Sequence, residues 1–405
     1  MYALLGGTRI IEASSFVAAP SAGLYLAQMG AEVIRVDQIG GGPDFRRWPK
    51  ADNGASLYWE GLNKGKKSVA LDLGRPEGRE LLAALATAPG EGAGLFVTNF
   101  PVDGFLAHDK LSGRRADLIT VRIMGQANGG PALDYTVNAA LGLPQITGPL
   151  RLGDEPVNHV LPAWDLLTGA YAAFAMLAAL QHRQATGRGQ DVRIPLADVG
   201  IATIANLGQL AEMVTTGDNR ARYGNTVYGA FGRDFVTADG IRLMILAITP
   251  RQWAGLVKAL DLANAIAEIE TARGVSFAQD EGIRFDHRDA LFPLVENAVN
   301  QRQSGELGAT FDQLGCCWGP YQTMCEAVRD PALVAQNPIF STIRQTSGIT
   351  YPVPGAMATI PQEMRLAPGR APFLGEHSDA VLAEILGLGS GQIGALHDAG
   401  LVATA

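Results

Sequence analysis

The residues best suited to chemistry lie in one glycine-rich stretch, residues 125–138, which follows the apolar run 118–124. Glycines let a ligand approach the main chain closely and leave N–H groups free to bind its oxygens. The one carboxylate in this stretch, Asp134, has the chemistry of a nucleophile toward an activated acyl group. An Asp in a loop more often caps a helix or a turn. The rest of the chain must decide between these two roles.

The elements expected around this stretch alternate between strands and helices up to residue 124. Strands are predicted at 8–16 and 32–37, with a helix at 20–29 between them, and further strands at 68–73, 94–100 and 117–124. This order predicts an α/β fold with a parallel sheet. Ligands of such sheets bind beyond the carboxyl ends of the strands. The residues expected there are Phe16, Val17, Ala18, Leu71, Asn99, Phe100 and the loop that begins at Gly125.

The first strand–helix turn argues against nicotinamide or flavin binding. Such a site needs the pattern GxGxxG in this turn, but residues 13–20 contain no glycine, and the triple glycine 40–42 follows the second strand. Asp37 ends the second strand, where a dinucleotide-binding protein would have its ribose-binding acid. Without the glycines, this resemblance to a dinucleotide site is weak. The basic residues around Arg47 and at 63–67 are either solvated surface charges or a place for phosphates beside aromatic rings.

The chain is long enough for two or three domains. We predict a large domain from residues 1–214 and 331–405, a linker at 215–225 and a smaller domain at 226–330. The smaller domain should contain strands at 231–237 and 241–248, followed by amphipathic helices at 251–269 and 288–299. In the large domain, a helix at 165–183 is apolar nearly all round and is predicted to be buried, with Asp165 as its N-cap, and another helix is expected at 199–214.

Composition limits the partners. The 405 residues carry a formal net charge of −8, which argues against a nucleic-acid ligand. The three cysteines fit reduced thiols, and the six scattered histidines give no basis for a metal site. The N-terminus lacks the layout of a signal peptide, and the longest apolar run, 166–180, is shorter than the ~18 residues that a membrane span needs. We therefore expect a cytoplasmic protein without a membrane partner.

Seven segments, in this order, carry a resemblance that covers nearly the whole chain. They are residues 10–20 (IIEASSFVAAP), 26–36 (LAQMGAEVIRV), 63–73 (NKGKKSVALDL), 97–100 (VTNF), 134–148, 182–190 (HRQATGRGQ) and 372–378 (PFLGEHS). Each segment alone is weak, but the ordered set resembles the family III CoA-transferases, also called the CaiB–BaiF family.

The resemblance implies a fold, a partner and a nucleophile. The fold is a Rossmann-like large domain formed by both ends of the chain, with a smaller α+β domain inserted, in an interlocked homodimer. Coenzyme A is part of the acyl-CoA substrate, and no tightly bound cofactor is implied. The carboxylate aligned with Asp134 would attack the thioester, forming an anhydride and then an aspartyl-CoA thioester.

The same resemblance suggests roles for further residues. Candidates for binding CoA are Phe16, Val17, Ala18, Arg47, Leu71, Leu73, Asn99 and Phe100. Candidates for stabilising the oxyanion through the main chain are Gly125, Gly130, Tyr228 and Gly229. Arg233 and His159 are candidates for holding the idle carboxylate of a diacid. The competing interpretations are that Arg233 is a surface arginine and that His159 is a structural histidine.

Segments 134–138, 158–165 and 228–234 are most similar to family members that move CoA between the two carboxyl groups of one mesaconate molecule. Three residues depart from patterns elsewhere in the family: Gln38 replaces an adenine-stacking Arg, Met124 replaces a Lys, and Leu133 replaces the His of related racemases. Two alternatives stay open. The enzyme could pass CoA to a separate dicarboxylic acid, or the chain could bind CoA or a nucleotide without turnover.

Overall fold

The computed structural model describes residues Met1–Ala405, and its internal contacts divide the chain into two compact units. The first contains Met1–Leu141, His159–Gly217 and Pro331–Ala405, and the second contains Gly142–Asn158 and Asp218–Asp330. Residues 142–158, which we expected in the large domain, are thus grouped with the second unit. Arg222 explains this grouping, because its guanidinium donates to the main-chain carbonyls of Thr147, Gly153 and Glu155.

The strands are β1 (Arg9–Ala13), β2 (Glu32–Gln38), β3 (Lys67–Leu71), β4 (Leu95–Thr98), β5 (Ile119–Met124), β6 (Gln190–Pro195), β7 (Phe231–Val236), β8 (Arg242–Ala247), β9 (Cys317–Pro320), β10 (Phe340–Arg344), β11 (Thr350–Pro354) and β12 (Val402–Ala403). The α-helices are α1 (Ala18–Gln28), α2 (Leu57–Asn63), α3 (Pro76–Ala86), α4 (His108–Ser112), α5 (Asp134–Ala140), α6 (Leu143–Ile146), α7 (Ala163–Thr186), α8 (Leu196–Asn206), α9 (Gln209–Thr216), α10 (Pro250–Ala259), α11 (Ala263–Arg273), α12 (Glu281–Asp286), α13 (Arg288–Asn300), α14 (Ser304–Leu314), α15 (Met324–Arg329), α16 (Ser378–Leu386) and α17 (Ser390–Asp398).

The first unit is built on a seven-stranded sheet in the order β12-β3-β2-β1-β4-β5-β6. All neighbouring strands are parallel except β12, which runs antiparallel to β3. The α/β prediction with a largely parallel sheet is therefore confirmed. The strand order reverses between β1 and β4, and such a reversal is where doubly wound sheets open a crevice for ligands.

Each face of this sheet carries its own core because successive strand residues point to opposite faces. In β1, Ile10 packs with α1 and α7, whereas Ile11 packs with α3, α16 and α17. Both side chains are almost completely buried. The helices on both faces pack against these buried side chains and so hold the strands, and with them the strand ends, in place.

Helix α7 differs from its prediction in two ways. It begins at Ala163 with Pro162 as N-cap, so Asp165 is its third residue and not the cap. One of its faces packs on α1 and β5, but the opposite face leaves Tyr171 and Phe174 more than half exposed. The prediction of a helix buried all round was wrong, because composition does not show which faces of an apolar helix have neighbours.

Helix α7 is also the one helix long and apolar enough to cross a membrane, with a mean hydropathy of 1.4 over its best window. Of that window 39% is buried against the protein. A single helix of this kind is weak evidence for a membrane span, because the core helix of a globular protein has the same length and composition.

The second unit has a three-stranded antiparallel sheet, β7-β8-β9, packed against helices. Strands β7 and β8 match the predicted pair closely. The helix predicted at 251–269 is two helices, α10 and α11, because Asp261 between them has a φ of +54°. The helix predicted at 199–214 likewise divides into α8 and α9 at Gly208, whose φ is +78°.

A buried group of charges lies beneath the ends of β1 and β2. The Arg35 guanidinium, fully buried, binds the carboxylates of Asp37 and Asp44, each at 2.9 Å. Lys66 Nζ lies 2.8 Å from Glu12 on the same side. Burial lowers the pKa of Arg35, but these carboxylates outweigh burial and the net pKa is raised. Asp37 is thus occupied by Arg35 and is not presented to a ribose.

Replacing Arg35 with alanine should destabilise the protein strongly, because Asp37 and Asp44 would stay buried without a cationic partner. We expect a loss of about 3–5 kcal/mol in the free energy of unfolding, measured by urea denaturation. The matched control is Arg114→Ala, which removes an exposed pair with Glu80 and should cost at most about 1 kcal/mol. Equal losses in the two variants would contradict this account of the buried group.

Candidate active site

A cleft of about 640 Å³ opens at the carboxyl ends of β1, β4 and β5 in the first unit. It lies where the strand order reverses between β1 and β4. Seven residues predicted from the sequence meet in its wall, namely Phe16, Val17, Ala18, Asn99, Phe100, Gly125 and Gly130. These residues follow different strands, so only the parallel sheet brings them together.

The glycine-rich loop forms one wall of this cleft with its main chain. Gln126 N donates to the carbonyl of Gly130 at 3.0 Å, which closes the loop into a tight turn. A Cβ atom on Gly125 would lie 2.3 Å from the nitrogen of Ala132, so no other residue fits there without moving the loop. Gly129 has a φ of +87°, a conformation that glycine adopts without strain. The loop thus brings main-chain groups, not side chains, to the cleft.

The opposite wall is held in an unusual backbone conformation. Phe16 has a φ of +67°, which is rare for a bulky residue and concentrates at functional sites. The Asn99 side chain fixes this turn, accepting from Ser15 N at 3.1 Å and donating to Ser15 O at 2.8 Å. The Arg47 guanidinium lies 5.4 Å from the Phe16 ring centre and 5.6 Å from that of Tyr58. A cation and an aromatic surface therefore lie side by side.

Asp134 is the first residue of α5, and its side chain is hydrogen-bonded to the start of α7. Its Oδ2 accepts from the main-chain nitrogens of Trp164 at 2.7 Å and Asp165 at 3.1 Å. Its Oδ1 lies 2.6 Å from His159 Nε2. The residue is only 3% exposed and is absent from the cleft wall. Both oxygens are thus engaged, and the carboxylate serves as a cap for a helix other than its own.

Asp165 is the carboxylate that lines the cleft. Burial, followed by the nearby charge of Asp134, raises the pKa of this carboxyl to about 6, against an opposing effect of Arg47. It is therefore ionised at neutral pH but more basic than an ordinary aspartate. Asp165 was not among the predicted site residues, because an N-cap role explained an Asp before an apolar helix. Its place in segment 158–165, one of those carrying the resemblance, was the available signal.

His159 belongs to a small aromatic group around Asp134. Its ring lies edge-on to Tyr135 at 5.6 Å and 6.4 Å from Trp164. Trp164 Nε1 in turn donates to Asn138 Oδ1 at 3.2 Å. Because His159 Nε2 is bonded to Asp134, this nitrogen is occupied and is not presented to a substrate carboxylate.

Two residues predicted to contact CoA lie away from the cleft. Leu71 is completely buried in the sheet core, where it pairs with Val402 of β12. Leu73 packs partly against the same core, and its N–H donates to Gln38 Oε1 at 2.7 Å. Neither side chain lines the cleft, because the end of β3 is covered by chain segments distant in sequence.

Three further predicted residues lie in the second unit. Tyr228 packs against Tyr223 and carries the Arg220 guanidinium 3.8 Å from its ring centre. Gly229 has a φ of +79°. Arg233 forms an ion pair with Glu296 at 2.8 Å. The roles suggested for Tyr228, Gly229 and Arg233 remain predictions.

Fold and cleft agree with comparison to known proteins, which places the chain in CoA-transferase family III: the model of that family matches residues 5–378. The resemblance found in the sequence is thereby confirmed. A 2-methylfumaryl-CoA isomerase from Chloroflexus aurantiacus is 47% identical over 405 residues, covering 100% of this chain and 98% of that protein.

More distant relatives share the same full-length match. A succinate–glutarate CoA-transferase from Agrobacterium fabrum is 30% identical over 94% of this chain and 95% of its own. The crystal structure of a CaiB/BaiF family protein from Brucella suis superposes with a TM-score of 0.75 at 25% identity, covering 95% of this chain and 100% of that one.

Proposed function

We propose that this chain is an intramolecular CoA-transferase that moves CoA between the C1 and C4 carboxyl groups of mesaconate, the reaction of a 2-methylfumaryl-CoA isomerase. The observation that carries the proposal is the 47% identity, over the full length of both chains, to a relative of that name. The cleft supports it, because it combines a carboxylate with a main-chain loop that can approach an acyl group closely.

The geometry favours Asp165 over Asp134 as the nucleophile. Asp165 lines the cleft, whereas Asp134 is buried and bonded through both oxygens. A carboxylate must reach the thioester carbon, so Asp134, which is 3% exposed and does not line the cleft, would have to leave its bonds to α7 before attacking. The sequence-based choice of Asp134 therefore becomes the alternative that the experiments below distinguish.

The proposed reaction passes through two covalent intermediates. An Asp165 oxygen attacks the thioester carbonyl of mesaconyl-C1-CoA, and CoA leaves as a thiolate, giving a mixed anhydride. The thiolate then attacks the aspartyl carbonyl, which releases mesaconate and leaves an aspartyl-CoA thioester. The freed diacid turns, its C4 carboxylate attacks this thioester, and the returning thiolate cleaves the second anhydride. The product is the C4 thioester, and the Asp165 carboxylate is restored.

Each tetrahedral intermediate carries an oxyanion that needs hydrogen-bond donors. We assign this role to main-chain N–H groups of residues 125–130 other than Gln126, Gly129 and Gly130, whose N–H groups donate within the loop. One oxyanion donor contributes about 3 kcal/mol to lowering the barrier. Phe16, Val17, Ala18, Asn99 and Phe100 would then hold the CoA part, with Arg47 available for a phosphate. Retention of the free mesaconate in the cleft, close to the aspartyl thioester, would return CoA to the same molecule.

Incubating the purified protein with mesaconyl-C1-CoA alone tests the function. We expect the C4 thioester to appear without any added acid, identified by chromatography of the two regioisomers. Several relatives have names that pair succinyl-CoA with a separate acceptor acid, such as glutarate or mesaconate. Turnover that depends on such an acceptor would support the intermolecular alternative, and binding without exchange would support a binding module.

Replacing Asp165 with asparagine should abolish turnover, because the amide cannot form the anhydride. Hydroxylamine or borohydride trapping during turnover, followed by peptide mass spectrometry, should place the adduct on Asp165 in the unmodified enzyme. The control is Asp109→Asn, an exposed acid on α4 outside the cleft, which should keep full activity. An adduct on Asp134 would instead restore the assignment made from the sequence.

We also propose the interlocked homodimer that the family resemblance implies, with a large domain formed by both ends of the chain. The exposed apolar side chains of α7, including Tyr171 and Phe174, support a partner surface. Sedimentation should give twice the 42.7 kDa of one chain. Mixed tagged and untagged dimers should exchange no subunits until they are unfolded and refolded together, because interlocked rings cannot separate while folded. Rapid exchange would argue against interlocking.

A further inference from the structure

One buried acid is left without a part in the reaction just described. Asp134 is 3% exposed, yet it accepts hydrogen bonds from three donors belonging to two other parts of the chain. A buried carboxylate is costly to maintain unless its bonds contribute to stability or function. Two of these bonds are made to the turn that carries Asp165, which indicates a contribution to function.

We propose that Asp134 is a positioning residue that holds Asp165 in its reactive place and sets the electrostatic environment of its carboxylate. The inference rests on the proposed function, because it requires Asp165 to be the nucleophile. Asp134 itself touches no substrate in this account.

The hydrogen bonds of Asp134 fix the main chain at Asp165. Asp134 Oδ2 accepts from two consecutive main-chain nitrogens, Trp164 at 2.7 Å and Asp165 at 3.1 Å. These belong to the second and third residues of α7, whose N–H groups have no partner within the helix. Because one of them is the main-chain nitrogen of Asp165 itself, the hydrogen bonds fix the point from which its side chain extends into the cleft. A fixed origin matters, since an error of 1 Å in a reacting group can reduce a rate about 100-fold.

The Asp134 carboxylate is itself held in place by His159. Its Oδ1 lies 2.6 Å from His159 Nε2, and the His159 ring packs against Tyr135 and Trp164. Tyr135 also donates from its hydroxyl to the carbonyl of Val160 at 3.3 Å. The carboxylate is therefore clamped between the start of α5, where it originates, and the segment that leads into α7.

Asp134 also acts on Asp165 through its charge. The charged or titratable groups that act on Asp165 are Asp134, Arg47 and Tyr58. Asp134 adds a negative charge and opposes ionisation of Asp165, whereas Arg47 favours it, and the pKa of Asp165 is about 6. Burial raises the pKa of Tyr58 to about 12, so this phenol is neutral at working pH. Asp134 thus makes the attacking carboxylate more basic, hence more nucleophilic, while leaving it ionised near pH 7.

The decisive comparison uses two substitutions that separate charge from position. Asp134→Asn keeps an oxygen that accepts from α7 and an amide that faces His159, but it removes the charge. Asp134→Glu keeps the charge and displaces it. The pH dependence of kcat/KM reports the free enzyme, so in the unmodified enzyme its acidic limb should lie near pH 6.

We expect Asp134→Asn to move the acidic limb to lower pH and to lower the plateau above it. Asp134→Glu should leave the limb near that of the unmodified enzyme but lower the plateau more severely, by about 100-fold for a misplaced nucleophile. Asp109→Asn, which removes the same charge on a distant surface, should change neither quantity. Thermal unfolding of all three variants identifies any loss of activity that comes from misfolding. The pH of the acidic limb does not depend on the fraction of enzyme that is folded.

An acidic limb that is the same in Asp134→Asn and the unmodified enzyme, with the adduct still on Asp165, would overturn the inference and leave the proposed function intact. An adduct on Asp134, or full activity of Asp165→Asn, would overturn both, starting with the assignment of the nucleophile. A lower plateau in Asp134→Asn whose acidic limb has not moved would reduce Asp134 to a structural helix cap and also contradict the inference.

Discussion

The bond between the Asp134 carboxylate and the first turn of α7 is the interaction on which the arrangement of the cleft depends. It joins the glycine loop, which ends at α5, to the helix that supplies Asp165. Helix α7 is in turn held against α1 and β5 by a continuous apolar core. One buried carboxylate thus connects the two chain segments that must meet at the acyl group, and the bond from Trp164 Nε1 to Asn138 Oδ1 adds a second link between them.

The sheet supplies the remaining constraint. Because β1 and β4 lie side by side while their helices leave on opposite faces, the chain opens between their carboxyl ends. The cleft is lined there by the turn at Phe16, which Asn99 holds in a conformation that a free chain would avoid. The free energy that stabilises this turn comes from the surrounding core, so the ligand site is formed before a ligand arrives.

Much of this could be predicted from the sequence, for physical reasons. Strand periodicity and strand–helix alternation are local, so the sheet and the cleft residues at its strand ends, such as Phe16, Asn99 and Gly125, were predictable. Asp165 was missed because Asp134, 31 residues earlier, binds the N–H groups at the start of α7. Asp165 therefore does not cap this helix, and its side chain lines the cleft. Leu71 was misplaced because β12 covers the end of its strand. The exposed face of α7 depends on which neighbours it has, which composition does not report.

The pairing of β12 with β3 has a consequence for synthesis. Leu71 pairs with Val402 and Ala70 with Ala403, so one edge of the sheet is completed by residues made more than 300 positions later. Ser378 reinforces this edge, accepting from Ala70 N at 3.1 Å and donating to Ala403 O at 2.7 Å. While the ribosome is still translating the intervening residues, β3 presents an unpaired edge that can recruit another nascent chain. The topology therefore leaves this edge of the sheet unpaired until residues 402 and 403 have been made.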